Sequence, residues 1–251
     1  MDYKFALQLI SQHIVKYGLQ IQPPLSHKDD RQALQDYANW LIEQFPQAFE
    51  TLLSGPNQFA VQKAFLLANG KRADIGTFVL AARGPLFTFP QRLFVDQVQN
   101  IRIPDKDQVF RTALNHLQIR FADRKAMRLD VMHELVFDTG QINSLEIIAA
   151  NLKNNLWVEQ AKNITLHLEV SIEHKNVSIE IKPTYLMQAS PALATTPAHI
   201  MRYGVIVNAG IHYQAAAGPQ AELTNADIDD LLTFAAEYVP EELIKFLNNE
   251  Q

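Results

Sequence analysis

No cysteine occurs anywhere in the chain. That absence excludes a disulfide framework, a thiolate nucleophile and any Cys-ligated zinc or iron–sulfur site. A basic excess is missing too: 22 Lys and Arg stand against 27 Asp and Glu, a formal net charge of −5. Such a balance argues against a nucleic-acid partner, whose phosphates call for clustered positive charge. No apolar run approaches the roughly 20 residues that a membrane helix needs, so no membrane partner is expected. The opening Met1-Asp2-Tyr3-Lys4 is followed by a short apolar stretch that is broken at Gln8. It lacks the order of charged, apolar and cleavable regions that marks a secretory leader, and a cytoplasmic location is the expectation.

The common catalytic signatures are also lacking. Gly70-Lys71 is followed by Arg72, with no glycine where a phosphate loop requires one. Neither G-x-G-x-x-G nor G-x-S-x-G occurs. His133-Glu134 starts like H-E-x-x-H, but position 137 is Phe, and the surrounding residues alternate as a strand does. No cofactor and no metal site are expected, and the sequence leans away from an enzyme.

What is present is apolar material, 47% of the 251 residues, enough for a sizeable core. Its organising stretch is residues 125–140. Met127, Leu129, Val131, His133, Leu135 and Phe137 fall on one face, with Arg128, Asp130, Met132, Glu134, Val136 and Asp138 on the other. A period of two predicts a long strand with one buried face, central in its sheet, ended by Thr139-Gly140.

Around it, Phe5, Leu9, His13 and Tyr17 have helical spacing, with Gly18 as a stop. A second helix follows Asp29-Asp30 and carries Tyr37, Trp40, Leu41, Phe45 and Phe49, a stripe read as core rather than as a cofactor box. Residues 58–68 read as a strand closed by an Asn69-Gly70 turn, with an Ala-rich helix as the alternative. Ile75–Ala82 reads as a strand broken by Arg83-Gly84-Pro85. Leu86–Val95 is apolar, but Pro90 should confine it to an edge or a bend; its extended Arg83–Pro90 segment is a candidate interaction edge if exposed. Asp105 or Asp107 begins a helix through Phe121, and Ser144 caps a short one. Residues 163–182 alternate as a hairpin turning at His174-Lys175-Asn176. Ala189–His199 and Ala215–Gln220 read as mobile loops. Met201–Tyr213 is a strand bent or bulged at Gly204 and Gly210. Thr224-x-x-Asp227 resembles a capping box for the next helix, which Pro240 should end before a last short one.

Late strands joined by hairpins favour an α+β fold: a mainly antiparallel twisted sheet with helices packed on one side. A helix followed by strands occurs at 30–97 and again at 106–213, so two similar lobes are admissible, an N-terminal helical/β lobe at 1–100 and a C-terminal α+β lobe at 101–251; one compact domain is the alternative.

Candidate site residues are few. His133 interrupts an apolar face, which makes it either a hydrogen-bonded core residue or a catalytic pocket residue. Asp130 and Glu134 are weaker catalytic candidates; at about 13 Å apart along a strand they cannot share one metal ion. Arg120, Arg124 and Arg128 form a basic cluster suited to an anionic ligand, although Asp123 and Asp130 interleave with it. His167 and Glu169 would need His199 or His212 from a neighbouring strand to hold a metal. The leading functional reading is binding of a protein partner, or self-association as a homo-oligomer. The alternative is an enzyme or small-ligand-binding protein with its site near His133 and the Arg120–Arg128 cluster.

Overall fold

The computed structural model describes residues 3–55, 59–66, 72–92, 105–151, 164–189, 199–214 and 221–248. Among these residues, nine antiparallel strands form one sheet in the order β2-β3-β4-β5-β1-β6-β9-β8-β7. They are β1 (Ile10–Gln22), β2 (Thr51–Ser54), β3 (Phe59–Leu66), β4 (Arg72–Ala81), β5 (Gly84–Arg92), β6 (Lys125–Gly140), β7 (Leu166–Ile172), β8 (Lys175–Ala189) and β9 (His199–Gln214). The α-helices among the described residues are α1 (Arg31–Gln44), α2 (Lys106–Arg120), α3 (Ser144–Asn151), α4 (Asn225–Tyr238) and the short α5 (Ile244–Leu247). The fold is α+β, with the helices packed on one side of the sheet. No helix among the described residues is long and apolar enough to cross a membrane.

The chain runs one course twice. A strand (β1) is followed by a helix, a set of hairpin-linked strands that returns to pair with it (β5 on β1), and a second helix. β6 opens the same sequence and receives β9 in turn. β1 and β6 then pair with each other at the middle of the sheet. The expected position of the 125–140 strand is therefore met. One detail differs: a register shift between Gln20 and Ile21 leaves Met127 unpaired opposite them, so the buried face there is completed by Ala126. A bulge adds one residue and reverses the alternation beyond it.

The first segment corrects the helix expected over residues 3–17. Ile10–Gln22 is a strand, and Ile10, Val15, Tyr17, Leu19 and Ile21 are its buried residues. The i, i+4 spacing of Phe5, Leu9, His13 and Tyr17 also fits a period of two, because four is a multiple of two. The second helix of that reading is observed as α1, and it stops before Pro46. β5 likewise departs from the edge position assigned to it on account of Pro90. It lies inside the sheet between β4 and β1. A register shift between His13 and Ile14 falls opposite Pro90, where the ladder is already irregular. Phe87 and Phe89 are core, and Leu86 on the other face is exposed.

Asp105 caps α2 by accepting from Asp107 N and Gln108 N, and Thr224 and Asp227 form the full capping box of α4. At α3 the cap is Asn143, whose Oδ1 accepts from Leu145 N, rather than Ser144. Pro240 does not end the last helical run: Val239–Leu243 form a π turn leading into α5. A wider turn accommodates a ring that has no N–H to give to the preceding turn. The β7–β8 hairpin turns at Glu173-His174, one residue earlier than predicted, with Glu173 at φ 52. The Asn69-Gly70 turn, the loop at 190–198 and the segment 215–220 lie outside the described residues.

Candidate functional site

Alternation sends the residues of β6 to two different places. Leu129, Val131, His133 and Leu135 face the helices, and Arg128, Asp130, Met132 and Glu134 face the open side. His133 is thus separated by the sheet itself from Asp130 and Glu134. On the inner side β1 supplies its neighbour: His13 Nε2 lies 3.0 Å from His133 Nδ1. One ring donates to the other, and in both tautomers His133 Nε2 is buried with no hydrogen-bond partner among the described residues. Lys106, at the start of α2, stands near both rings. Burial, and secondarily this lysine, lowers the His13 pKa to about 4. Burial, then His13 and Lys106, lowers that of His133 to about 3. Both imidazoles are neutral near pH 7. Further along the inward row of β1, beyond Val15, Tyr17 donates its hydroxyl to Asp107 and stacks on Phe110 of α2 at 4.7 Å between ring centres.

On the open side the registers align three rows of side chains across β1, β6, β9 and β8. One row is Gly18, Asp130, His212 and Asn176. The next is Lys16, Met132, Gly210 and Ser178. The third is Ile14, Glu134, Asn208 and Glu180. Gly210 leaves a gap in the centre of this grid. A hollow of about 280 Å³ opens there, walled by Lys16, Glu134, Ser178, Glu180, Asn208 and His212.

Its walls are charged and paired. Lys16 Nζ is 3.1 Å from Glu134 Oε2. Glu180 accepts from Lys182 at 2.7 Å and from Asn208 at 3.2 Å. The Lys182 hydrogen bond, opposed by some burial, holds the Glu180 carboxyl below the usual carboxylate range. Asp130 Oδ1 is 2.7 Å from Arg128 Nε and 2.9 Å from His212 Nδ1. Arg128 Nη2 is 3.0 Å from the same histidine nitrogen. The carboxylate contact needs a proton on Nδ1 and the guanidinium contact needs a lone pair, so the two alternate with the tautomer.

Of the basic cluster, only Arg128 reaches this face. Arg120 pairs with Asp36 of α1, and Arg124 pairs with Asp30 and Asp123. These two arginines fasten the α2–β6 link to α1. His167 and Glu169 lie 3.3 Å apart on the edge strand β7. Among the described residues no group of three His, Asp or Glu side chains is placed to hold a metal ion. Lys16 and Ser178 did not stand out in the sequence, and His13 was assigned to a helix. The run Val15, Tyr17, Leu19, Ile21 was the signal for the strand that carries Lys16 and His13.

No family model matches the chain, and no curated protein matches it. Two solved structures are similar to it over most of both chains. One is the di-domain ARO/CYC StfQ of the steffimycin biosynthetic pathway, at 9% identity over 92% of this chain and 96% of that one, TM-score 0.22. The other is the di-domain ARO/CYC BexL of the BE-7585A pathway, at 9% identity over 94% and 98%, TM-score 0.17. Likeness at that level carries no argument about this chain.

Proposed function

We propose that the chain binds a small polar molecule carrying both charges in the hollow on the open face of its sheet. The observation that carries this is the gap at Gly210 ringed by Lys16, Glu134, Glu180 and His212. Its volume of about 280 Å³ suits a ligand at the small end of the usual range. An ammonium group faces Glu134 and Glu180, and a carboxylate faces Lys16. These groups are about a third exposed, and their present ion pairs are worth under about 1 kcal/mol each, so a ligand can take their place.

The test is thermal denaturation with free amino acids and with their N-acetyl and amide derivatives. A compound carrying both charges should raise the midpoint by mass action, and either blocked form should do less. Gly210→Leu, which fills the hollow, should remove the effect. If no compound shifts the midpoint, or if Gly210→Leu responds as the parent does, the groove is not a ligand site.

A second reading has an observation of its own. Among the described residues β7 ends the sheet and has a strand neighbour on one side only, while Leu168 and Val170 are 37% and 47% exposed. An edge of this kind favours strand addition by a protein partner or a second copy. Native mass spectrometry distinguishes them: an integer multiple of the 28.5 kDa chain supports self-association, and a monomer removes it.

A further inference from the structure

The geometry points to a nucleophilic centre inside the same groove, with Ser178 as nucleophile, His212 as its general base and Asp130 as the group that orients the histidine; we infer that the groove hydrolyses small acyl esters. The inference rests on the reading of the hollow as a ligand site. Three adjacent strands supply the three groups. Asp130 on β6 lies directly across from His212 on β9, with 2.9 Å between Oδ1 and Nδ1. A proton on Nδ1 satisfies that contact and leaves Nε2 with a lone pair. Both Nε2 and Ser178 Oγ point at Gly210. A Cβ placed on this glycine would stand 3.3 Å from His212 Nε2 and 2.8 Å from Ser178 Oγ. The missing side chain leaves the space between the two atoms open, and no hydrogen bond joins them in this structure. Ser178 Oγ has one weak bond of its own, 3.5 Å to Gly210 O, so its proton is available for transfer. A nucleophile, a base and an orienting carboxylate in this order are the parts that acyl transfer requires.

The chemistry balances without a cofactor. Ser178 Oγ attacks the ester carbonyl carbon as its proton passes to His212 Nε2. The ester C–O bond breaks, and the leaving alkoxide takes that proton, giving the free alcohol and an acyl-serine. Water then attacks the acyl carbon with His212 as base, releasing the acid and restoring the hydroxyl. The donor nearest in the grid for the negative charge that builds on the carbonyl oxygen is Asn208 Nδ2, on the adjacent strand β9 and one row along from Ser178. Asp130 acts through His212 and is a positioning residue.

p-Nitrophenyl acetate is the probe. The full chain should release p-nitrophenolate faster than buffer and carry one acetyl group on the peptide containing Ser178. Ser178→Ala and His212→Gln should each return the rate to that of buffer, and Asp130→Asn should lower it and alter its pH profile. Acetylation confined to lysines, or an unchanged rate in Ser178→Ala, overturns the proposal. A second measurement uses the absence of cysteine: Ser178→Cys creates a unique thiol. Its alkylation should follow a pKa below the ordinary value of about 8.5, and should return to that value when His212→Gln is added. A thiol indifferent to His212 means that the base does not reach it. Binding without acetylation in the parent chain leaves the ligand site standing and removes the catalysis; loss of both removes both.

Discussion

Neighbouring residues on β6 live in different solvents. His133 is 4% exposed and Met132 beside it is 42% exposed. Inside, the histidines and tyrosines are neutral and hydrogen-bonded, as with His13 and His133 or the Tyr37 hydroxyl on Ala113 O at 2.7 Å, and the buried ammonium of Lys175 is held against Asp230 at 2.6 Å. Outside, the polar groups are charged and paired, across strands as with Lys16 and Glu134 or along one strand as with Arg128 and Asp130. The difference shows what each face tolerates. Removing water from a charge costs several kcal/mol unless a partner compensates it, so the inner face keeps imidazoles uncharged. On the outer face the charges remain solvated, and rearranging them costs little.

The sharpest way to break this contrast is to put the same charge on both sides. His133→Asp should unfold the chain at neutral pH, because an unpaired buried carboxylate costs a large share of a stability of about 5–15 kcal/mol. Met132→Asp, one residue away, should change stability by less than about 1 kcal/mol. Urea unfolding followed by circular dichroism measures both. Similar losses in the two variants would contradict the separation of the faces.

Protonation tests the inner pair without inserting a charge by mutation. Both histidines have folded pKa values, about 4 and about 3, below the ordinary 6.5. As pH falls from 6.5 towards 3, the unfolded chain therefore binds protons that the folded chain refuses, and stability declines. Above 6.5 the pair contributes no pH dependence. The loss should reach several kcal/mol at the acid end. His133→Leu removes one of the two groups and the buried orphan Nε2, so it should be near neutral or mildly stabilising at pH 7 and visibly flatter in acid. Equal acid sensitivity in parent and variant would place the titration elsewhere.

Much of this division was legible in the residues. The alternation over 125–140 and the position of His133 on the apolar face follow from a period of two, and the strand lies at the centre as read. The partner of His133 was not legible. Phe5, Leu9, His13 and Tyr17 satisfy both periods, and tertiary pairing with β5 and β6 chose the strand. Pro90 misled for a related reason: a local rule against proline inside a sheet gave way to a bulge in the same strand, where Gln91 is the extra residue beside it. The groove was hidden more deeply. It arises because Met132, Gly210 and Ser178 fall in one row, and row membership depends on registers that a single chain does not display. Gly210 looked like a bend and proved to be a gap. The arginines drew attention by closeness in sequence, yet at four-residue intervals across a helix end they point to different partners.

Glycines allow a finer comparison of the two faces. A Cβ on Gly76 would sit 2.7 Å from Ala48 O, a backbone carbonyl packed in the turn after α1. That carbonyl cannot move without disturbing Phe49, which is fully buried. Gly76→Ala should cost about 1–3 kcal/mol by overpacking. Gly210→Ala meets Ser178 Oγ, which can rotate away, so its cost should be under about 1 kcal/mol. Thermal unfolding of the two variants ranks them, and a reversed order would mean that the outer row is the more tightly packed.

The smallest effect expected is at Lys16, and it separates stability from function most cleanly. Its ammonium and the Glu134 carboxylate are each about a third exposed, at 32% and 35%, so solvent screens the pair. Lys16→Met keeps the stem that covers Met132 and removes only the charge, and should change stability by no more than about 0.5 kcal/mol. The same variant should weaken binding of a carboxylate-bearing ligand, because a ligand in the groove excludes the water that screens the charge now. A stable Lys16→Met that binds the amino-acid probes as the parent does would move the ligand carboxylate to another part of the wall. A Lys16→Met that is unstable would mean that the ion pair belongs to the sheet's own cohesion, and the outer face would then resemble the inner one more than its exposure suggests.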